Sequence, residues 1–280
     1  MSGSVTAGAF ARVFEPRGEG GRWYVNDHTV IRAGDGQWHL FGITHREPAD
    51  PFDETVFGHA TAAELGGPWV QEAPALTVDR ESGETHLWAP FVVAEGARYF
   101  MFYDGGGADR TATGMYLATS TDLFEWTRHP GGPLFRDGYD ARDPMVLRIG
   151  EWWVMYYCAT STRAGGNHVV AYRTSSDLVR WGPRRIAYTD PTAGTEAGNT
   201  ESPFVVPHGG YWYLFIGPRP EYVGTEIFRS TDPFHFRPQD RVGHIAAHAA
   251  EVVADGDSCW ITAAGWGQGG VRLAPLHFPG

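Results

Sequence analysis

Cysteine and basic residues are both scarce in this chain. Among 280 residues there are two cysteines, and 22 Lys and Arg stand against 33 Asp and Glu, a formal net charge of −11. Cys158 and Cys259 belong to no spacing typical of metal or redox sites, so we expect two buried, reduced thiols. Neutralising phosphates requires a basic surface, and the acidic composition therefore argues against a nucleic-acid partner.

Long hydrophobic runs are missing as well. No segment approaches the roughly 20 apolar residues that a membrane-spanning helix needs, so we expect no membrane partner. The first 16 residues contain one basic side chain, Arg12, and no sustained apolar stretch of the kind found in secretory signals. We therefore expect a cytoplasmic protein, or a secreted one if a signal has been removed.

Helical periodicity is the third absence. No long segment free of Gly and Pro has apolar residues at positions i, i+3, i+4 and i+7. The 37 Gly and 19 Pro instead indicate frequent chain reversal, and aromatic residues make up 14% of the chain. Short aromatic strands separated by tight turns fit this composition. We predict an all-β protein.

A motif of Ser-x-Asp followed by an aromatic residue repeats along the chain. Its Asp is at 122, 177 and 232, an interval of 55 residues each time, and a degenerate copy lies at 62–69. Each of the three copies follows a strand-like segment. We interpret the motif as a turn in which Asp accepts hydrogen bonds from local amides and the aromatic ring covers a strand edge.

A second motif joins a short apolar strand to a strongly aromatic one through a tight turn. It occurs five times, with the aromatic strands at 38–41, 99–103, 152–157, 211–216 and 259–262. Four-stranded units repeating about every 40 to 60 residues are typical of β-propeller blades. We predict a single five-bladed β-propeller over 22–280, with four-stranded antiparallel blades around a central funnel, and an N-terminal extension at 1–21. A β-sandwich is the alternative.

Three of these units have an acidic residue at the start of the first strand. The first strand of each propeller blade lines the central axis, so we expect Asp27, Asp143 and Glu201 to occupy equivalent positions and to face one another. Confined carboxyl groups push their pKa values apart, and glycosidic cleavage uses one protonated and one ionised carboxyl. The alternative is a structural role, in which the acids bond amides of neighbouring blades.

The segments around these acids resemble those of a known group of enzymes, the five-bladed propeller glycoside hydrolases, which include families 43, 32, 68 and 62. The matching segments are Asn26-Asp27, Arg142-Asp143-Pro144 and Glu201. The resemblance implies that Asp27 is the base or nucleophile, that Asp143 stabilises the transition state and that Glu201 is the general acid. It covers the chain from about residue 23 onward.

Different segments resemble different families within this group. The first two acidic segments are more similar to families 32 and 68, whereas Trp88-Ala89-Pro90 and the single-domain length are more similar to family 43. His28 stands where Pro usually follows the first Asp, and Ser202 stands where family 32 often has Cys.

Five further residues are candidates for binding substrate: Asn26, Trp88, Arg142, Glu251 and Trp266. The two tryptophans would stack on a sugar ring, or else pack in the core. Arg142 would bond sugar hydroxyls, or else pair with Asp140. Glu251 would reach the sugar from below.

No redox or organic cofactor is expected. The 12 His residues show no His-x-x-x-His spacing, which disfavours catalytic zinc. The resemblance to family 43 implies one metal candidate, His248, beside a calcium-like structural cation on the axis; a hydrogen-bonded structural His is the alternative.

The sequence therefore predicts a glycoside hydrolase that acts on a small carbohydrate, such as a fructofuranoside, arabinofuranoside or xyloside. One alternative is a carbohydrate-binding propeller without catalysis. Another is a glycosyl-transferring or phosphorolytic enzyme, which would need a basic phosphate pocket that Arg142 alone does not provide.

Overall fold

The computed structural model describes residues 3–107, 113–138, 141–218 and 222–279. These residues form five antiparallel sheets that follow one another along the chain as the blades of a β-propeller. The predicted all-β class and the number of blades are confirmed. No helix among the described residues is long and apolar enough to cross a membrane.

The strands are numbered in chain order. Two short strands come first, β1 (Thr6–Ala7) and β2 (Ala11–Arg12). Blade one contains β3 (Trp23–Arg32), β4 (Trp38–Arg46), β5 (Val56–Ala62), β6 (Val70–Gln71) and β7 (Leu76–Thr77). Blade two contains β8 (His86–Glu95), β9 (Arg98–Gly106), β10 (Gly114–Ser120) and β11 (Thr127–Arg128). Blade three contains β12 (Arg142–Ile149), β13 (Trp152–Thr162), β14 (Gly165–Ser175) and β15 (Arg185–Gly194). Blade four contains β16 (Glu201–His208), β17 (Tyr211–Gly217), β18 (Thr225–Ser230) and β19 (Arg241–Ile245). Blade five contains β20 (Val252–Asp255), β21 (Ser258–Ala263) and β22 (Arg272–His277). Within the described ranges, short 3-10 turns lie at Pro51–Asp53, Gly198–Thr200 and Pro238–Asp240.

The first strands of the blades meet at the axis. Strand β3 packs beside β8, β8 beside β12, and β12 beside β16. The aromatic second strands β4, β9, β13 and β17 lie one position further out and carry much of the core, including the buried Phe41, Phe102, Tyr156 and Phe215. This arrangement brings the starts of the first strands to one end of the central funnel.

The N-terminal residues complete blade five. Strand β1 pairs antiparallel with β22, with Thr6 opposite His277, and β2 also pairs with β22. The stretch 1–21, which the sequence predicts to precede the propeller, thus supplies the outer strand of its last blade. The pairing covers the edge of β22, which would otherwise leave backbone amides and carbonyls exposed.

The repeated Ser-x-Asp motif forms the predicted turn. Asp122 Oδ1 accepts hydrogen bonds from the amides of Phe124 (2.8 Å) and Glu125 (2.9 Å). Asp177 Oδ1 accepts from the two corresponding amides, and Asp232 Oδ1 accepts from the Phe234 amide. The aromatic ring reaches beyond its own strand. Trp126 packs edge-on against Phe41 of the preceding blade at 5.5 Å between ring centroids, and the motif therefore also ties neighbouring blades together.

Both cysteines are free. Cys158 is buried as predicted, whereas Cys259 is only partly buried.

Candidate active site

Four first strands are interrupted at the same point. The antiparallel pairing shifts register between Val25 and His28, Trp88 and Phe91, Arg142 and Met145, and Glu201 and Phe204. A bulge of this kind leaves residues unpaired and redirects their side chains. Asp27 and Asp143 lie within these interruptions and Glu201 borders one, so their carboxyl groups can face the funnel.

The bulges show that the three acids are not equivalent. Asp143 and Ser202 have left-handed backbones, with φ of 59° and 45°, and each is followed by a proline. Glu201 lies one residue earlier, at the position of Arg142. By the same register Asp27 occupies the position of Pro144, so the prediction of equivalent positions is wrong: Glu201, Asp143 and Asp27 stand at three successive positions of the repeat. Non-glycine residues with positive φ concentrate at functional sites.

A cavity of about 200 Å³ opens at this end of the funnel. Seven of the predicted site residues line it: Asn26, Asp27, Trp88, Arg142, Asp143, Glu201 and Trp266. We call it the main cavity. It is also lined by residues that the sequence analysis did not identify: Ile43, Pro51, Phe52, Glu54, Glu196 and Tyr222.

Ser202 connects two of the acids. Its hydroxyl donates a hydrogen bond to Asp27 Oδ1 at 2.6 Å, and its backbone amide donates to Asp143 Oδ2 at 2.9 Å. The Cys158 thiol lies 3.5 Å from the same Asp143 oxygen. Asp27 and Asp143 are thus held by one residue of blade four, although they come from blades one and three.

Arg142 lies between Asp143 and Glu201. Its guanidinium forms an ion pair with Glu201 Oε1, and its Nε is 3.8 Å from Asp143 Oδ1. The alternative partner, Asp140, lies outside the described residues. The Glu201 side chain keeps 21% of its surface exposed, so it remains accessible from the cavity.

Burial separates the acids by pKa. Burial and the neighbouring Asp143 and Asp27 carboxylates raise the pKa of Glu201 to about 8, against the opposing effect of Arg142. Burial raises the pKa of Asp143 to about 6, again opposed by Arg142, and it also raises the pKa of Asp27, which Ser202 and Arg142 oppose. The raised pKa of Glu201 favours its protonated form, which a general acid requires.

Aromatic rings form two walls of the main cavity. On one side Trp88 donates its indole N–H to the Pro51 carbonyl at 2.8 Å and lies 5.9 Å from Phe52. On the other side Trp266 and Tyr222 stack at 4.8 Å with an interplanar angle of 14°, and the Tyr222 hydroxyl donates to Asn26 Oδ1 at 3.1 Å. Flat apolar walls with polar tips suit a sugar ring.

Glu54 is an acid of this cavity that the sequence analysis missed. It follows the 3-10 turn Pro51–Asp53 between β4 and β5, and is 1% exposed. Antiparallel pairing brings the end of β4 to the start of β3, so this connection lies at the same end of the blade as Asp27. No motif marks Glu54 in the sequence, because loop length alone determines where it lies.

Two predicted residues lie outside the main cavity. Glu251 lines a smaller cavity that it shares with Asp27 and Asp143, and burial raises the pKa of its carboxyl, against the opposing effects of the Val30 amide and the Thr29 side chain. His248 is buried against the Tyr222 ring at 3.8 Å, and burial lowers its pKa to about 4.

The His248 surroundings do not provide a protein ligand set for a cation. Neither ring nitrogen of His248 has a hydrogen-bond partner within the described part of the chain. No group of three His, Cys, Asp or Glu in the described ranges could hold a metal ion, whereas calcium takes six to eight oxygen ligands. One imidazole does not fit that shell, and the axial cation stays a prediction.

Comparison with known proteins gives a consistent family. Residues 20–207 match the family model for the glycosyl hydrolases family 32 N-terminal domain. Among curated proteins, the chain is 24% identical over 195 residues to arabinan endo-1,5-alpha-L-arabinosidase A of Aspergillus aculeatus; the match covers 67% of this chain and 56% of that protein. The chain therefore spans little more than half the length of this relative.

Solved structures share the fold. A GH43 enzyme of Xanthomonas citri complexed with xylose superposes with a TM-score of 0.72 at 15% identity, covering 96% of this chain and 90% of that one. An alpha-L-arabinanase of Cellvibrio cellulosa complexed with arabinohexaose superposes with a TM-score of 0.70 at 15% identity, covering 92% of this chain and 94% of that one. The GH32 beta-fructofuranosidase of Bombyx mori superposes with a TM-score of 0.63 at 16% identity, covering 91% of this chain and 61% of that one. The predicted resemblance is confirmed.

Proposed function

Since the chain belongs to the glycosyl hydrolases family 32 N-terminal domain family, we propose that it is an enzyme that hydrolyses a furanosidic or related glycosidic bond. The observation that carries this proposal is that Asp27 and Glu201 line the same cavity. The surroundings of Glu201 raise its pKa, and Asp27 accepts a short hydrogen bond from Ser202. Glycoside hydrolysis needs one acid of each kind.

Glu201 acts as the general acid. Its proton passes to the leaving oxygen while the bond between that oxygen and the anomeric carbon breaks. Arg142 contacts the same carboxyl and stabilises the carboxylate that the transfer creates. Asp143 remains close to Arg142 and Ser202, where its negative charge stabilises the positive charge that develops on the sugar ring.

Asp27 acts on the anomeric carbon, directly or through water. In an inverting reaction a water molecule attacks that carbon and gives its proton to Asp27. In a retaining reaction Asp27 forms the new bond itself, and water later displaces it. The Ser202 hydroxyl stabilises the ionised form of Asp27 in either case, because it donates to Oδ1.

The charge of the main cavity supports hydrolysis over phosphorolysis. Among the described residues, the lining includes five carboxyl groups, from Asp27, Glu54, Asp143, Glu196 and Glu201, and one basic side chain, Arg142, which contacts Glu201. This environment repels phosphate and uronates and admits neutral sugars. The curated relatives are arabinan endo-1,5-alpha-L-arabinosidases, which makes 1,5-linked arabinofuranosides the first substrates to test.

The test is sugar release from sucrose, short fructans, arabinofuranosides and xylosides. We expect the wild-type protein to release sugar from at least one of these classes, and Asp27→Asn and Glu201→Gln to lose about 10²- to 10⁴-fold in turnover. Sugar binding without turnover by the wild-type protein would instead support a carbohydrate-binding propeller.

A further inference from the structure

Glu54 has geometry that the proposed reaction does not use. Both hydrogen bonds to its carboxyl fall on Oε1, which accepts from the Tyr24 hydroxyl at 2.7 Å and from the Trp266 indole N–H at 2.8 Å. Oε2 has no hydrogen-bond partner among the described residues, and the side chain lines the main cavity. Two donors on one oxygen leave the proton of a neutral carboxyl on the other.

We infer that Glu54 is a substrate-binding residue that presents a protonated carboxyl, through Oε2, to a hydroxyl of a neutral sugar in the main cavity. This inference rests on the proposed function, because it assigns a contact for the same substrate. It adds a fourth acid to the site, with a role in binding instead of in proton transfer.

The burial of Glu54 favours its neutral form. Burial raises its pKa to about 8, and the carboxylates of Asp27 and Asp50 act in the same direction, while the donors on Trp266 and Tyr24 oppose them. The other titratable group near it is the Tyr222 phenol. No cation pairs with Glu54 among the described residues.

A neutral carboxyl can do what a carboxylate cannot. It donates one hydrogen bond and still accepts others, whereas a carboxylate only accepts. In a cavity with four other acids, a neutral donor also avoids further negative charge. Sugar hydroxyls both donate and accept, so a fixed donor at this place selects the position and orientation of one hydroxyl.

The position of Glu54 is fixed by neighbouring blades. Its backbone carbonyl accepts a hydrogen bond from the Leu87 amide of blade two at 2.9 Å. Its side chain holds the indole of Trp266 in blade five, which stacks on Tyr222 of blade four. Glu54 therefore anchors the aromatic wall and contacts the sugar on it.

The first test compares Glu54→Gln with Glu54→Leu, with 1,5-α-linked arabinotriose as the probe. The amide of Gln keeps one acceptor and one neutral donor, so we expect KM to stay within about twofold. Leu removes both, and we expect KM to rise about tenfold with a smaller change in kcat. Glu84→Gln is the matched control, because Glu84 is 2% exposed and also accepts from a tyrosine, Tyr103, at 3.0 Å. It should change thermal stability and leave KM unchanged.

The second test uses pH and does not depend on the Leu variant folding. In a Glu201→Gln background, which should hydrolyse arabinotriose slowly and lacks the other main-cavity carboxyl whose pKa is raised to about 8, calorimetric affinity for arabinotriose should fall as pH rises through about 8. In Glu201→Gln/Glu54→Gln the affinity should stay constant over that range.

Two results would overturn this inference and leave the proposed function intact. One is a KM in Glu54→Leu equal to that of the wild type. The other is that Glu201→Gln/Glu54→Gln loses affinity above pH 8 as much as Glu201→Gln does. If arabinotriose is not hydrolysed but xylotriose or sucrose is, that sugar replaces it in both tests. A wild-type protein that hydrolyses none of the panel would overturn the proposed function, and this inference with it.

Discussion

The turns at the rim and the cavity at the axis use the same residue types to opposite effect. Asp177, in a rim turn, has its pKa lowered by hydrogen bonds from the amides of Arg180 and Val179, with the Arg180 side chain contributing. Asp143 and Glu201, at the axis, have their pKa values raised by burial. The difference shows that the surroundings, and not the presence of an acid in a repeat, separate a structural carboxyl from a reactive one.

A pair of serines sharpens this comparison. Ser202 donates its hydroxyl to Asp27 at 2.6 Å, and Ser175 donates to Asp177 at 3.1 Å. Ser202→Ala should lower kcat about tenfold or more, because it removes a hydrogen bond to a charged group at the site. It should also move the acidic limb of kcat/KM to higher pH, since that hydrogen bond lowers the pKa of Asp27.

The matched variant is Ser175→Ala. Its hydroxyl also accepts from the amides of Asp177 and Leu178, so the change should lower the free energy of unfolding and leave kcat unchanged. Kinetics and urea unfolding of both variants check the pair. Equal effects on kcat would show that the two serines do not differ in role.

A smaller effect is expected from Asp177→Ala. Loss of the amide hydrogen bonds should cost about 1 kcal/mol of unfolding free energy at pH 7, by analogy with helix-capping residues. Because the native pKa of Asp177 is lowered, its contribution is present above about pH 4 and is lost as pH falls through the native value. Urea unfolding at pH 7 and at pH 3 measures this difference.

The contribution of Glu201 to the free energy of unfolding should change with pH in the opposite direction. Its native pKa is raised, so its contribution to stability is complete below about pH 4.5 and is lost as pH rises through about 8. Glu201→Gln should therefore lose less stability than wild type between pH 5 and 9. An equal change of unfolding free energy with pH in wild type and Glu201→Gln would contradict the assignment of a raised pKa to Glu201.

The repeat pattern explains how much could be predicted from the sequence. The propeller could be predicted because each blade repeats an aromatic strand and a Ser-x-Asp turn, and these are local signals. Asp27, Arg142 and Glu201 could be placed in one site because each stands at the start of a first strand. Their convergence follows from blade geometry.

Other features depend on distant contacts and could not be predicted. Strand β1 consists of two residues, and only its pairing with β22, at the other end of the chain, defines it. Glu54 and Tyr222 lie in connections between second and third strands, where no periodic pattern fixes the position of a side chain. The positions of the three acids within the repeat could not be predicted either, because the strand register defines them: Glu201 aligns with Arg142, and Asp27 aligns with Pro144.

The most direct test of the central claim compares two leaving groups. The 4-nitrophenolate of a 4-nitrophenyl arabinofuranoside leaves without much help from an acid. The leaving sugar of arabinotriose needs a proton on its oxygen. Glu201→Gln should therefore lose far less activity on the aryl glycoside than on arabinotriose, and Asp27→Asn should lose activity on both. An equal loss on the two substrates in Glu201→Gln would contradict the role of Glu201 as general acid.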